Sequence, residues 1–512
     1  MCKSSSFMEW LPPELLTIIF SYVHEDSRSL FKEINDRISA EKRLEMNPEK
    51  PDILKRSELT VARSNAQRYL ASSSCFPFAP AAVFNRWRNV LCCSPAFWEQ
   101  VVWFIDSNPT SVEEAKAHLA RTRGLPIDIT ITRREDLITA WSEARERARV
   151  WTFMDILLPE AHRWRSLHID VASSSSLPII ATEFTVKAPL LQLISFNCER
   201  DRPPTKDNMH NGYQSYLNRV ALSMDESFPV LTVLVLDGLN FAYCCEERRF
   251  WVGLETKLEQ LAVINYRPGV VLDKVTVVKA FERISSVTTL LSLKFVNVRF
   301  APPRPIYPDD PPFVPFDIDF VEDLVLDTID PEPLLEIFER CIFHSLHFLH
   351  IARCPDLPIG LLGDLDQQLR FLSFDDLPPT VNLEGFVTDL RSRALFFANC
   401  PLVSDSFLEY LTRYKDVATQ PGAATVYPGG RRFACPNLNA LIMHHCKDFS
   451  VESMKNTIEK RRFFLDAEGP PLPVMVRPDL QFVFMKGCIQ DRLSEEDLAW
   501  FKKQVPEFAI EA

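Results

Sequence analysis

Between residues 11 and 23, apolar residues recur at helical spacing on two sides of one predicted helix. Leu11, Leu15, Ile18, Ile19 and Tyr22 make one stripe, and Leu16, Phe20 and Val23 make a second. Pro12 and Pro13 start the helix, because proline is tolerated in the first turn, where its missing N–H would have been unpaired. A helix that is apolar nearly all round must be buried from two directions. A short N-terminal module cannot cover both sides by itself, so the pattern implies a partner protein. Helical spacing resumes with Val83, Phe84, Trp87, Val90 and Leu91. The stretch between, about 24–80, is charged. Leu30, Ile34 and Ile38 share a face there and Glu33 lies four before Arg37, which predicts a solvated helical insertion broken near Met46 to Asp52 by two prolines. Trp98–Phe104 and Pro126–Thr132 then read as strands, and Glu113–Arg123 and Trp141–Leu158 as helices.

From about Trp164 onward a different pattern recurs: an apolar residue, two others, a leucine-like residue, one other, a leucine-like residue. Its copies are Leu191, Ile194, Phe196; Leu231, Leu234, Leu236; Leu258, Leu261, Val263; Leu290, Leu293, Phe295; and Val321, Leu324, Leu326. They continue as Leu346, Leu349, Ile351; Leu369, Leu372, Phe374; Leu438, Leu441, Met443; and Leu480, Val483, Met485, with weaker copies at Leu167/Ile169 and Leu395/Phe397. Proline stands two before the first position at Pro189, Pro229, Pro436 and Pro478. Cysteine stands three after the last at Cys354, Cys400, Cys446 and Cys488. Each copy predicts one short strand with alternate residues turned inward, and the cysteine suits a small buried turn position. Asp330–Cys341 and Ser404–Tyr414 read as intervening helices, and Ser494–Gln504 as a helix capping the end of the array. Long loops are expected at Arg200–Asn211, Ala301–Pro315 and Thr419–Arg432.

The repeated unit resembles a leucine-rich repeat, L-x-x-L-x-L-x-x-N/C. The N-terminal residues resemble an F-box: the Leu11-Pro12-Pro13-Glu14 start, the leucine- and isoleucine-rich helix, then Arg86-Trp87-Arg88 and Pro95…Trp98. The look is that of the F-box proteins abundant in mushroom-type fungi, although the 24–80 insertion is longer than that family's usual connection. The resemblance implies an α/β fold, with an N-terminal helical F-box followed by an irregular leucine-rich-repeat solenoid with a strand-lined concave face. It implies an F-box-like domain over 8–105, a junction over 106–160 and repeats over 161–512. It further implies a non-catalytic substrate-recognition subunit of a Skp–cullin–F-box ubiquitin ligase, with Leu11, Pro12, Glu14, Leu16, Ile19, Phe20, Trp87 and Trp98 at the Skp-type adaptor and a cullin–RING ligase reached through it. A leucine-rich-repeat binding scaffold outside any ligase is the alternative. A third reading, an enzyme with an unrecognised site, would require a deep pocket of converging polar groups.

Alternation along the strands places His168, Val235, Ala262, Lys294, Val325, His350, Ser373, Phe396, Ile442 and Phe484 on the outward face. Phe348, Phe371 and Phe482 lie just before them. The face becomes aromatic toward the C-terminus, so Phe348, His350, Phe371, Phe396, Ile442, Phe482 and Phe484 are the expected substrate contacts. No arginine cluster lies there, which favours an apolar or mixed protein ligand over a phosphorylated motif.

Composition narrows the rest. The chain has 512 residues, more than one core normally serves, and a net charge of −12, which disfavours nucleic acid and anionic membranes. Glycine is scarce at 13 residues, which weighs against phosphate-cradling loops. The 13 cysteines are unpatterned for zinc and, with no secretion signal, read as reduced thiols, consistent with a cytoplasmic or nuclear protein. No membrane span is expected. His344, His347 and His350, and His444-His445-Cys446, do not converge in the predicted register, so no metal or cofactor is expected. Lys460-Arg461-Arg462 reads as a surface run.

Overall fold

The computed structural model describes residues 11–25, 77–133, 142–184, 186–200, 224–268, 275–302, 315–357, 369–387, 390, 392–416, 431–466, 480–489 and 493–511. The expected helix through Leu30, Ile34 and Ile38 lies outside them, as does most of each expected long loop. The protein is mixed α/β with parallel strands, and it divides into two compact units, 1–233 and 234–512. Among the described residues no helix is long and apolar enough to cross a membrane.

The first unit opens with a helix over 13–25, followed by helices Phe78–Val83 and Asn85–Cys93. Phe84 separates the last two with extended backbone, which breaks the continuous helical spacing expected through it. Four strands follow: β1 (Gln100–Phe104), β2 (Ile127–Thr132), β3 (Trp164–Ser173) and β4 (Leu193–Arg200), parallel and neighbouring in chain order. Helices Val112–Arg121 and Glu143–Leu157 lie in the connections, close to where sequence periodicity puts them. The second helix buries Val150, Phe153, Met154 and Leu157, the i, i+3, i+4, i+7 set of one helical face.

The second unit holds β5 (Val233–Asp237), which starts at the division between the units, β6 (Gln260–Ile264), β7 (Ser292–Val296), β8 (Phe316–Asp317), β9 (Asp323–Asp327), β10 (Cys341–Ile342), β11 (Phe348–Ala352), β12 (Phe371–Asp375) and β13 (Ala394–Ala398). It continues with β14 (Tyr414–Asp416), β15 (Arg431–Phe433), β16 (Ala440–His444), β17 (Phe482–Lys486) and β18 (Glu507–Glu511). The two minor pairs, β8 with β10 and β14 with β15, stand apart. The others form one sheet in chain order, parallel from β6 to β18. The copies from Leu258 onward lead into the strands from β6 to β17 in the same register. Leu261 pairs with Leu293, Leu293 with Leu324, Leu324 with Leu349, and so on to Leu441 with Val483. All three apolar positions of every full copy are at most 3% exposed. Helices occupy most of the connections. Val277–Ile284, capped by the Thr276 hydroxyl, buries Val277, Ala280, Phe281 and Ile284 on one face.

Every strand of this sheet from β6 to β17 is followed by a residue with positive φ: Asn265, Asn297, Thr328, Arg353, Asp376, Asn399, His445 and Gly487. The amide of each donates to the last carbonyl of the next strand, as in Asn265 N to Val296 O at 2.9 Å and His445 N to Lys486 O at 2.7 Å. This turn lets the chain leave the sheet with its first amide still paired. The repeat's cysteines sit next to it. Cys354, Cys400, Cys446 and Cys488 are buried and point their thiols at main-chain carbonyls of the preceding strand, for example Cys488 Sγ to Met443 O at 3.3 Å.

Two expectations change. Glu495–Gln504 is a helix with a Ser494/Asp497 capping box, but it is not the end of the array, because β18 follows it and pairs with β17. The sequence Glu507-Phe-Ala-Ile-Glu is too short and too charged to show the repeat pattern. Arg461 is not part of a surface run: it is fully buried, and its guanidinium donates to four main-chain carbonyls.

Gly238, at the start of helix Gly238–Glu246, illustrates how close the turns pack. A Cβ there would stand 2.4 Å from Tyr266 Cα and 2.7 Å from Asn265 O, both main chain and unable to move aside as a side-chain tip would. Gly238→Ala is therefore expected to destabilise by about 1–3 kcal/mol, the usual cost of overpacking. A fall in the urea midpoint measures it; an unchanged midpoint contradicts so close an approach.

Candidate functional site

The N-terminal helix over 13–25 divides its residues cleanly. Leu16, Phe20 and His24, at i, i+4 and i+8, are at most 7% exposed. Leu16 and Phe20 join Ala81, Leu91, Phe97 and Trp98 in one apolar cluster, with Leu11, Trp87, Val90 and Cys92 packed on its edge. Phe20 meets the Trp87 ring edge-on at 5.6 Å, and His24 meets Phe97 at 5.4 Å. The Trp98 indole donates to Leu91 O at 2.9 Å, and the Arg88 guanidinium donates to Ala81 O at 2.9 Å. On its other side Trp98 receives the His118 ring edge at 5.4 Å and the Arg121 guanidinium at 4.6 Å, which couples this cluster to helix Val112–Arg121. Burial, helped by the Arg121 charge, holds the His118 pKa down at about 4.

The opposite face of the same helix is open. Leu15 is 46% exposed, Ile18 51%, Ile19 36%, Tyr22 69% and Val23 44%. At 100° per residue these five lie on one continuous face of exposed apolar side chains. The structure thus separates the expected adaptor residues. Pro12, Glu14 and Ile19 are exposed, whereas Leu11 and Trp87 are half-buried. Leu16, Phe20 and Trp98 are core rather than contact residues, because the 81–98 segment covers them. Val23 also leaves the inner stripe, and His24 takes its place there. The first stripe carried the signal for Leu15, Ile18 and Tyr22, but their apolar character alone could not say which stripe the chain would bury itself.

In the second unit the expected contact set divides as well. Phe348, His350, Phe371 and Phe482 are half-buried on the outward face of β11, β12 and β17. His350 Nδ1 lies 2.7 Å from the Ser373 hydroxyl, and its ring stacks parallel on Phe348 at 6.4 Å. Phe396, Ile442 and Phe484 are buried, at 8%, 1% and 1% exposed, and so are not free contacts. They are register partners across β13, β16 and β17. Strands about 4.8 Å apart press such side chains against one another. The His444 ring closes the group, edge-on to Phe396 at 4.9 Å and to Phe484 at 5.4 Å. Burial, with Lys486 and His445 adding to it, lowers the His444 pKa to about 4, so the ring is neutral near pH 7. The alternation that faces Ile442 outward faces His444 outward too, but the consecutive histidines hid it.

Among the described residues no group of His, Cys, Asp or Glu is arranged to hold a metal ion. A cavity of about 160 Å³ between Ile458, Arg462, Leu480, Lys503, Gln504 and Pro506 brings together no nucleophile and base. No protein-family model matches the chain, and no curated protein matches it.

Proposed function

We propose that this chain is a non-catalytic substrate-recognition subunit of a Skp–cullin–F-box ubiquitin ligase. The observation that carries the reading is the two-sided N-terminal helix. Its inner side packs on the segment bearing Trp87 and Trp98, and its outer side presents Leu15, Ile18, Ile19, Tyr22 and Val23 to a partner. In this reading that outer side docks on the Skp-type adaptor, and the adaptor brings the cullin–RING ligase. The repeats, from about residue 161 onward, make an irregular leucine-rich-repeat solenoid whose strands line a concave face. A protein substrate lies across that face over Phe348, His350, Phe371 and Phe482, the half-accessible members of the aromatic group. The chain contributes proximity: a tethered substrate experiences a raised effective concentration of the conjugating enzyme.

The test is co-expression with a Skp-type adaptor followed by size-exclusion chromatography. A one-to-one complex is expected. Well-folded chain eluting without adaptor overturns the ligase reading and leaves a repeat scaffold outside any ligase.

A further inference from the structure

Three of the repeat cysteines stack in consecutive strands. Ala398 pairs with His444 and His444 with Lys486, and Cys400, Cys446 and Cys488 each stand two residues beyond these partners. All three follow a left-handed turn residue, Asn399, His445 or Gly487. Cys446 Sγ reaches His444 O at 3.4 Å and Phe397 O at 3.8 Å, and Cys488 Sγ reaches the equivalent Lys486 O and Met443 O, each at 3.3 Å. The two side chains therefore occupy the same position in adjacent repeats. Neighbouring strands run about 4.8 Å apart, inside the ~4.4–6.8 Å Cα separation that a disulfide spans.

We propose that Cys446 and Cys488 are an oxidative modification site, a dithiol that a peroxide converts to a disulfide linking the turns after β16 and β17. Cys488 is the attacking sulfur. It is the most accessible of the three at 8% exposed, against 0% for Cys446 and 1% for Cys400. Its interaction with Cys446 holds the Cys488 thiol below its ordinary range, whereas burial pushes Cys400 up to about 11. The Cys488 thiolate attacks one peroxide oxygen, the O–O bond breaks, and the other oxygen leaves as hydroxide and is protonated to water. The resulting sulfenic acid is attacked by Cys446, the S–S bond forms, and a second water departs with the proton of the Cys446 thiol. The protein loses two electrons and two protons, and one peroxide becomes two waters.

Oxidation joins two strands that a long connection otherwise separates, so β16 and β17 lose their freedom to part. The experiment uses the full-length wild-type chain, so its main result needs no variant to fold. Reduced protein is exposed to hydrogen peroxide, denatured in an alkylating reagent, digested and mapped by mass spectrometry. A peptide linking Cys446 to Cys488, lost on dithiothreitol treatment and absent from Cys488→Ser, is the expected result. Recovery of both cysteines alkylated, of Cys488 over-oxidised without a link, or of a Cys400–Cys446 link in its place overturns the proposal.

Discussion

Ile18→Asp combined with Tyr22→Asp is expected to abolish the adaptor complex while leaving the chain folded. Ile18 and Tyr22 are the two most exposed large apolar residues of the N-terminal helix, at 51% and 69%. Neither belongs to the Leu16–Phe20–Trp98 cluster, so removing them costs the free chain little. In a complex both would be buried, and each aspartate would lose the apolar contact and desolvate a carboxylate. Central contacts of this kind cost about 2–4 kcal/mol each, so the pair weakens binding by roughly 1,000-fold or more. Isothermal titration of purified chain and adaptor measures it, with circular dichroism melts run beside it. Leu16→Ala is the opposite control. It removes a fully buried side chain, and is expected to destabilise the first unit by about 2–5 kcal/mol whether or not an adaptor is present. Wild-type affinity in the double aspartate variant would move the docking surface off this helix face.

The second large effect is expected at Arg461. Its guanidinium donates to Leu411 O at 2.8 Å, Ala434 O at 3.1 Å, Cys435 O at 2.8 Å and Leu438 O at 3.5 Å. These carbonyls belong to the turn after helix Asp405–Tyr410 and to the segment that enters β16, including the left-handed Cys435. One planar fork therefore binds main-chain acceptors from the two segments that flank the short β14–β15 pair. Arg461→Met keeps the volume and removes all four bonds, leaving Cys435 O only its bond from Leu438 N. An orphaned buried acceptor costs on the order of 1–3 kcal/mol, so the loss is several kcal/mol. Arg461→Lys restores charge but not the planar fork, and should recover only part of it. Urea unfolding of the three proteins measures the order, with hydrogen exchange at β16 reporting where the chain loosens. Equal midpoints for the wild-type chain and the Arg461→Met variant would mean that the four bonds contribute nothing net.

The repeat register was legible because the signal is redundant. Leu261, Leu293, Leu324, Leu349 and Leu372 recur with the same spacing to their neighbours, and a slip of one residue would turn every one of them outward. Near-complete burial of that set follows from spacing alone. The junction elements and the helix from Ser494 were legible for the same local reason, since alternation and helical spacing are written in adjacent residues. β18 was not legible, because a five-residue strand with glutamate at both ends carries no periodic signal. Its place comes from the backbone of β17, which offers a free edge. The aromatic patch was half legible. Alternation aligned Phe396, Ile442 and Phe484 with one another, as their pairing shows, but whether their face is open depends on register partners and on the His444 ring beside them.

Neighbouring residues were enough to set which positions of the repeat alternate inward and that the N-terminal helix has two apolar sides. These properties follow from the periods of strand and helix. The folded chain was needed to show which side of that helix is covered, that Arg461 lies in the interior and that Cys446 meets Cys488. Each of these depends on segments tens of residues apart coming together, and the free energy of that packing is not contained in any local window.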